Sequence, residues 1–215
     1  SSVYGVRDEQ NVTENLDLLP LTDYSKYKAL CEDVLLQKRE RGFTTIILRP
    51  ATVCGYSPRL RLDLIVNILT NHAVNNRKIT VFGGQQMRPN IHIEDVTDMY
   101  VDSLEWPEEL VNGEIFNAGY QNCTISEIAE KVRMVVEEEM PEGGPIKIET
   151  TPSNDLRSYH VSSKKIAENL GYTPKRSIED AVRDICHAFR DGLLPNSLED
   201  DSYINVKTVQ KMGLR

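Results

Sequence analysis

Tyr24 and Lys28 stand four residues apart in the stretch LTDYSKYKALCED, a spacing that puts both side chains on one face of a helix. An ammonium held beside a phenol favours the ionised form of that phenol. The chemistry open to such a pair is proton transfer, with the phenol oxygen taking a proton from a substrate hydroxyl and later returning one. Spacing alone is weak, because YxxxK also arises by chance as a solvated tyrosine beside an unrelated lysine. The surrounding elements decide its meaning.

SSVYG, about twenty residues earlier, reads as a strand end entering a loop, and PLTDY supplies a helix start with Thr22 or Asp23 as the cap. The helix is expected over residues 23–41, with Ala29, Leu30, Val34 and Leu35 as its apolar stripe and Gly42 as its stop. The β-branched TTIILRPATVCG gives a strand over 44–51. RLRLDLIVNILTNHAV carries Leu64, Ile65, Ile68, Leu69 and Ala73 at helical intervals, followed by a short strand at 79–82 and a helix begun by EDVTDMYVDSLEW. GEIFNAG reads as another strand, and Thr124 with Glu127 forms a capping-box pattern opening a helix through Glu139. PEGGP is a turn or loop, IKIET and the YHV segment suggest two short strands, and helices follow at SSKKIAENL and SIEDAVRDICHAFRDGLL. Beyond Gly192, polar LPNSLEDD and weakly amphipathic YINVKTVQKM predict a surface excursion, with a partner subunit as one surface for it to pack on.

The order strand, loop, YxxxK helix, and strand ending RPATVCG resembles the extended short-chain dehydrogenase/reductase family, in particular its nucleotide-sugar epimerases and dehydratases. ITVFGGQQMRPNIHIEDVTDMYV and GEIFNAGYQNCTISEIAEKV follow that family's substrate half, so the resemblance covers nearly the whole chain. It implies an α/β fold made of the C-terminal part of a Rossmann-like doubly wound sheet and a smaller α/β substrate-binding domain. Residues 1–58 would belong to the dinucleotide-binding domain, and 59–215 mostly to the substrate-binding domain, with some segments returning to the Rossmann part.

The same resemblance assigns site residues. Tyr24 and Lys28 are the catalytic pair and touch the cofactor, and Pro50 and Ala51 border the nicotinamide. Thr52 stands where many relatives carry asparagine, which trades an amide that both donates and accepts for a shorter hydroxyl. Leu64, beside Asp63, matches a helix start that meets the substrate diphosphate; Asp63 reads better as a helix cap, and Arg59 and Arg61 could offset its charge. Arg88 matches an arginine on the diphosphate, where a guanidinium grips two oxygens at once. Thr80 and Phe82 sit where relatives hold the nucleotide base, Phe82 being equally compatible with a core position. Arg157, near Tyr159, resembles a second nucleotide-contacting arginine.

Extended family members open with a glycine-rich turn whose backbone approaches the dinucleotide pyrophosphate at a helix amino end. This chain has neither GxGxxG nor GxxGxxG. It is therefore expected to be the C-terminal portion of a longer enzyme, binding NAD mainly through an N-terminal half that it lacks, with NADP an open alternative, and to be inactive alone. The family's catalytic serine or threonine falls one residue before Ser1. Dehydratases of the family carry an Asp-Glu pair directly before VYG, where this chain has Ser1 and Ser2, and the sugar-acid decarboxylases carry a glutamate at the place of Ser2. C4 epimerisation of a nucleotide-diphosphate sugar, by transient oxidation to a keto sugar, is thus the leading expectation. A keto-reductase, a dehydratase and a non-catalytic binding remnant are the alternatives.

Composition agrees with a globular cytoplasmic protein: 215 residues, 40% hydrophobic, 27% charged, with no apolar run long enough to span a bilayer. A net charge of −8 argues against a general nucleic-acid surface, so an anionic substrate must be met by local cations. Cys31, Cys54, Cys123 and Cys186 form no CxxC pair and read as buried thiols in a reducing compartment. His72, His92, His160 and His187 show no metal-ligand spacing, and no metal is expected. A homodimer is a further expectation, since family members commonly pair the helix carrying Tyr24 with its preceding helix in a four-helix interface.

Overall fold

The structure, a computed structural model, describes residues 2–7, 9, 11–39, 42–153, 158 and 160–213. Ser1, Arg41, Arg157 and Tyr159 lie outside the described residues. The first long helix, α1 (Asp23–Gln37), starts at Thr22, whose hydroxyl accepts the Ser25 N–H at 3.3 Å while Ser25 Oγ accepts the Thr22 N–H at 3.0 Å. Such a reciprocal cap satisfies two helix-end donors together.

Two short strands follow, β1 (Ile46–Pro50) and β2 (Thr52–Cys54), in place of the single strand expected over 44–51. Between them the chain changes neighbours. β1 runs parallel to β5 (Glu114–Ala118), whereas β2 runs parallel to β4 (Met87–His92), which also pairs antiparallel with β6 (Gln121–Thr124). Ala51 is the pivot, its N–H still donating to the Ala118 carbonyl at 2.7 Å. A third pair joins β3 (Lys78–Phe82) and β7 (Lys147–Thr151) in parallel.

The helices are α2 (Ile65–Asn76), α3 (Ile93–Asp102), α4 (Glu108–Val111), α5 (Ile125–Glu139), α6 (Lys164–Leu170), α7 (Ile178–Arg190) and α8 (Asn205–Lys211). α2, α5 and α7 pack on one another, with Val66, Leu69, Ile128, Val132, Ala181 and Val182 in a cluster that reaches β3. A second cluster, including Ile91, Met99, Phe116 and Ile166, joins the β1–β5 side to α3 and α6. The expected capping box at Thr124 and Glu127 is present.

Ser2–Tyr4 form a 3-10 turn where a strand end was expected, and α1 also departs from expectation. α1 ends at Gln37, with Lys38 as its C-cap, short of the expected residue 41. Most of its apolar stripe stays outside the core: Leu30, Val34 and Leu35 are exposed, Ala29 packs on Val3, Tyr4 and Val12, and Ser25 and Glu32 are the buried side chains. The helix is held to its own chain by the Glu32–Arg49 contact and by Ala29, while Leu30, Val34 and Leu35 face away from the core. The tail is a surface excursion as expected, with no buried residue in its 3-10 turn (Asp201–Tyr203) or α8, and it packs against the loop before α2.

Candidate functional site

A cavity of about 550 Å³ opens at the carboxyl end of β1, where the strand leaves β5 and the chain passes to β4. The carboxyl end of a strand at such a change of neighbours is where open α/β sheets place ligands. Tyr24 and Lys28 of α1, Pro50 and Ala51 at the end of β1, Thr52 at the start of β2 and Leu64 before α2 all line it. Ser2, Arg59, Arg61 and Asn67 do as well.

Tyr24 is 65% exposed, and the Lys28 Nζ lies 5.8 Å from the centroid of its ring. The two side chains therefore share a face and a cleft, with the cation close enough to the ring for a cation–π contact.

Beneath them lies a buried polar network that sequence reasoning missed. Arg49 Nε donates to Glu32 Oε1 at 3.0 Å and Nη2 donates to Oε2 at 2.5 Å, while Nη1 donates to the Tyr4 hydroxyl at 2.7 Å. The Tyr4 hydroxyl in turn donates to Asn117 Oδ1 at 2.7 Å. Burial works against the charge on Arg49, yet Glu32 and Tyr4 together hold the guanidinium above its ordinary pKa. Burial also pushes the Tyr4 phenol upward against the pull of Arg49, so Tyr4 remains a neutral donor. The network ties α1 to β1, β5 and the amino-terminal segment. Its signal in sequence was Arg49, an arginine inside an apolar strand.

In the loop before α2, Arg61 grips Asp63 with two bonds, Nε to Oδ1 at 2.9 Å and Nη2 to Oδ2 at 3.1 Å. Partial burial pushes the Asp63 carboxyl upward, but Arg61 and the Asn205 N–H outweigh it and hold the group below its ordinary range. Asp63 does not cap α2, whose N-cap is Leu64 with no side-chain bond; its Oδ2 instead accepts the N–H of Asn205, the first residue of α8, at 3.0 Å. Asn67 spans the loop, accepting the Gly55 N–H at 3.2 Å and donating to the Arg61 carbonyl at 2.9 Å. Gly55 has φ 101° and a side chain there would meet the His92 ring at 3.0 Å, so the turn leaving β2 requires glycine.

Thr80, Phe82 and Arg88 are not brought into the cavity lining. Phe82, at the end of β3, is 60% exposed, which removes the core reading of that residue. Arg88, half-buried on β4, donates to the Met87 carbonyl at 3.1 Å. His92 is the N-cap of α3, its Nδ1 accepting the Glu94 N–H at 3.2 Å while Nε2 meets Asp184 at 3.1 Å. Among the described residues no group of three or more His, Cys, Asp or Glu side chains could hold a metal ion.

A family model described as the NAD dependent epimerase/dehydratase family matches residues 1–119. An uncharacterized UDP-glucose epimerase of Bacillus subtilis, YtcB, is 29% identical over 185 residues, covering 85% of this chain and 56% of that protein. A putative UDP-glucose 4-epimerase of Methanocaldococcus jannaschii is 24% identical, covering 86% of this chain and 58% of the relative. Among solved structures, the UDP-glucuronic acid 4-epimerase of Bacillus cereus in complex with UDP-glucuronic acid and NAD superposes with a TM-score of 0.72. It is 25% identical, over 89% of this chain and 59% of that one. RMD of Pseudomonas aeruginosa complexed with NADPH gives a TM-score of 0.74 at 18% identity, which is a likeness of fold. The chain spans less than two thirds of the length of these relatives. With more than half of its residues matched by the family model, the chain belongs to the NAD dependent epimerase/dehydratase family.

Proposed function

We propose that this chain carries the acid–base pair and substrate cleft of a nucleotide-sugar 4-epimerase. The observation that supports it most is the cavity's chemistry: Tyr24, Lys28 and Thr52 face the same space as Arg59 and Arg61. Among the described residues lining it, Glu32 alone carries a carboxylate, and Arg49 occupies both of its oxygens. Dehydration requires an acid and a base besides the tyrosine, whereas C4 epimerisation requires one proton-transfer group.

In this reading Tyr24 takes the proton of the C4 hydroxyl and returns it after the keto sugar has turned over in the cleft. Lys28 sets its ammonium beside the Tyr24 ring. Thr52 bonds the sugar, and Arg59 and Arg61, at the loop ending in Leu64, meet the diphosphate. Arg88 is assigned to the diphosphate with them, and Thr80, Phe82 and Arg157 to the nucleoside end, for which an exposed Phe82 offers a stacking surface. A bound nicotinamide would accept and return the hydride. The cleft suits that group, since Tyr24 and Lys28 offer polar partners in a lining that also holds Pro50 and Ala51. The sequence supplies no glycine-rich pyrophosphate turn, so turnover is proposed to need a polypeptide that contains one, with this chain inactive alone. NAD is favoured over NADP by the family description alone.

Residues 1–58 are proposed to serve the cofactor side and 59–215 mostly the substrate side, with β5 returning to β1. The exposed Leu30 and Val34 of α1 suit a homodimer through that helix. Four unpaired cysteines suit a cytoplasmic setting, and among the described residues no helix is long and apolar enough to cross a membrane.

The test is incubation of UDP-glucose, with NAD and protein containing the glycine-rich turn, followed by NMR of C4 and nicotinamide absorbance. Interconversion at C4 with no net change in cofactor supports the epimerase. Stoichiometric consumption of cofactor would establish the keto-reductase instead, and loss of water from the sugar the dehydratase.

A further inference from the structure

The C-terminal segment closes on the loop that carries Arg59 and Arg61. The Leu62 N–H donates to the Tyr203 carbonyl at 2.9 Å, the Asn205 N–H donates to Asp63 Oδ2 at 3.0 Å, and Arg59 Nη2 donates to Asn205 Oδ1 at 3.2 Å. Tyr203 also packs on the apolar cluster of Leu60, Leu62 and Ile185. Lys207 and Lys211 both pair with Asp201, at 2.7 Å and 3.2 Å, which fastens α8 to the preceding turn. The segment thus touches the cavity's arginine wall from behind.

We infer that residues 200–211 form a strap whose docking presets Arg59 and Arg61 for the diphosphate of a nucleotide sugar, so that strap and ligand stabilise one another. The inference rests on the nucleotide-sugar reading of the cavity. Its physical basis is preorganisation. The bond to Asn205 uses one of five guanidinium donors on Arg59 and leaves the others to meet an anion, while fixing a side chain that would otherwise have to be ordered on binding. The second contact concerns repulsion. Asp63 is a carboxylate next to the wall where a polyanion would sit, yet it is not among the residues lining the cavity. When an anion draws on Arg61, the Asn205 N–H remains on Asp63 Oδ2 and keeps that charge turned away. Coupling of this kind is reciprocal, so whatever affinity the strap adds to the ligand, the ligand adds to the strap.

Asn205→Pro is a clean probe, because it removes the N–H and the side-chain amide together. Asn205 is the first residue of α8, a position that tolerates proline, and Ile204 at φ −114°, ψ 109° already occupies the extended region that a following proline requires. Affinities of UDP-glucose and uridine would be measured for the unaltered and variant chains. Amide exchange of residues 203–211 would be followed with and without UDP-glucose or inorganic pyrophosphate. The expected results are UDP-glucose weakened about tenfold by Asn205→Pro, uridine unchanged, and slower strap exchange in the unaltered chain with either diphosphate. Asn205→Ala keeps the N–H and loses only the bond to Arg59; an intermediate loss there carries the test if the proline variant fails to fold. Equal weakening of uridine and UDP-glucose, or no weakening of either, would overturn the strap. Failure of UDP-glucose to bind the unaltered chain, with pyrophosphate still protecting the strap, would sink the nucleotide-sugar reading and leave the strap as a device for diphosphate anions. Protection by neither ligand would end both.

Discussion

Glu32 lies one helical turn beyond Lys28 and two beyond Tyr24, and Arg49 of β1 grips both of its carboxylate oxygens. That contact sets how far α1 is rotated and advanced relative to the sheet, because the helix otherwise offers the core little apolar surface. A shift of half a turn would point Tyr24 away from the cleft.

Truncating one member of such a buried pair leaves an uncompensated charge, which costs about 3–5 kcal/mol. Glu32→Ala is therefore expected to lose about that much stability in urea unfolding, whereas Glu32→Leu with Arg49→Met recovers most of it. A loss below about 1 kcal/mol for the single variant would mean that water already reaches the pair.

Acid should act on the helix caps. Glu127 and Asp180 are each held below the usual carboxylate range, foremost by the backbone N–H of their cap residues, Thr124 and Ser177. A depressed folded pKa gives stability that is complete above the unfolded value near about 4 and is lost as pH falls through the folded value. Asp180→Asn should flatten the fall in the urea midpoint between neutral pH and about pH 3. An unchanged acid limb would contradict the assignment.

Thiol reactivity should divide sharply. Burial pushes the Cys54 and Cys186 thiols up to about 12, and the thiolate is the reacting form. Cys31 is exposed on α1. Maleimide labelling followed by peptide mass analysis should modify Cys31 in the native protein and reach Cys54 and Cys186 only after denaturant is added. Equal native labelling of all three would show that the core opens readily.

Much of this arrangement is legible in the sequence. The YxxxK spacing, the RPATVCG strand and the Thr124–Glu127 box are local patterns, and local patterns survive folding. The break at Ala51 was not legible, because a change of strand partner is decided by what β4 and β5 offer across space. Nor was the burial of Glu32, since helical periodicity puts carboxylates outside unless a partner from another element meets them. Leu30 and Val34 misled for the opposite reason: their spacing predicts a buried stripe, but periodicity does not say whether the covering surface lies in this chain. The docking of Asn205 on Arg59 joins residues 146 positions apart, beyond any pattern within a window.

The most direct test of the central claim is the C4 interconversion rate of UDP-glucose and UDP-galactose by a Tyr24→Phe variant, in protein that contains the glycine-rich turn. Removing a general acid–base group typically costs about 10²–10⁴ in rate, and the account predicts a loss in that range with UDP-glucose affinity within about threefold of the parent. A variant that turns over within about threefold of the parent would show that the proton at C4 is carried by some other group.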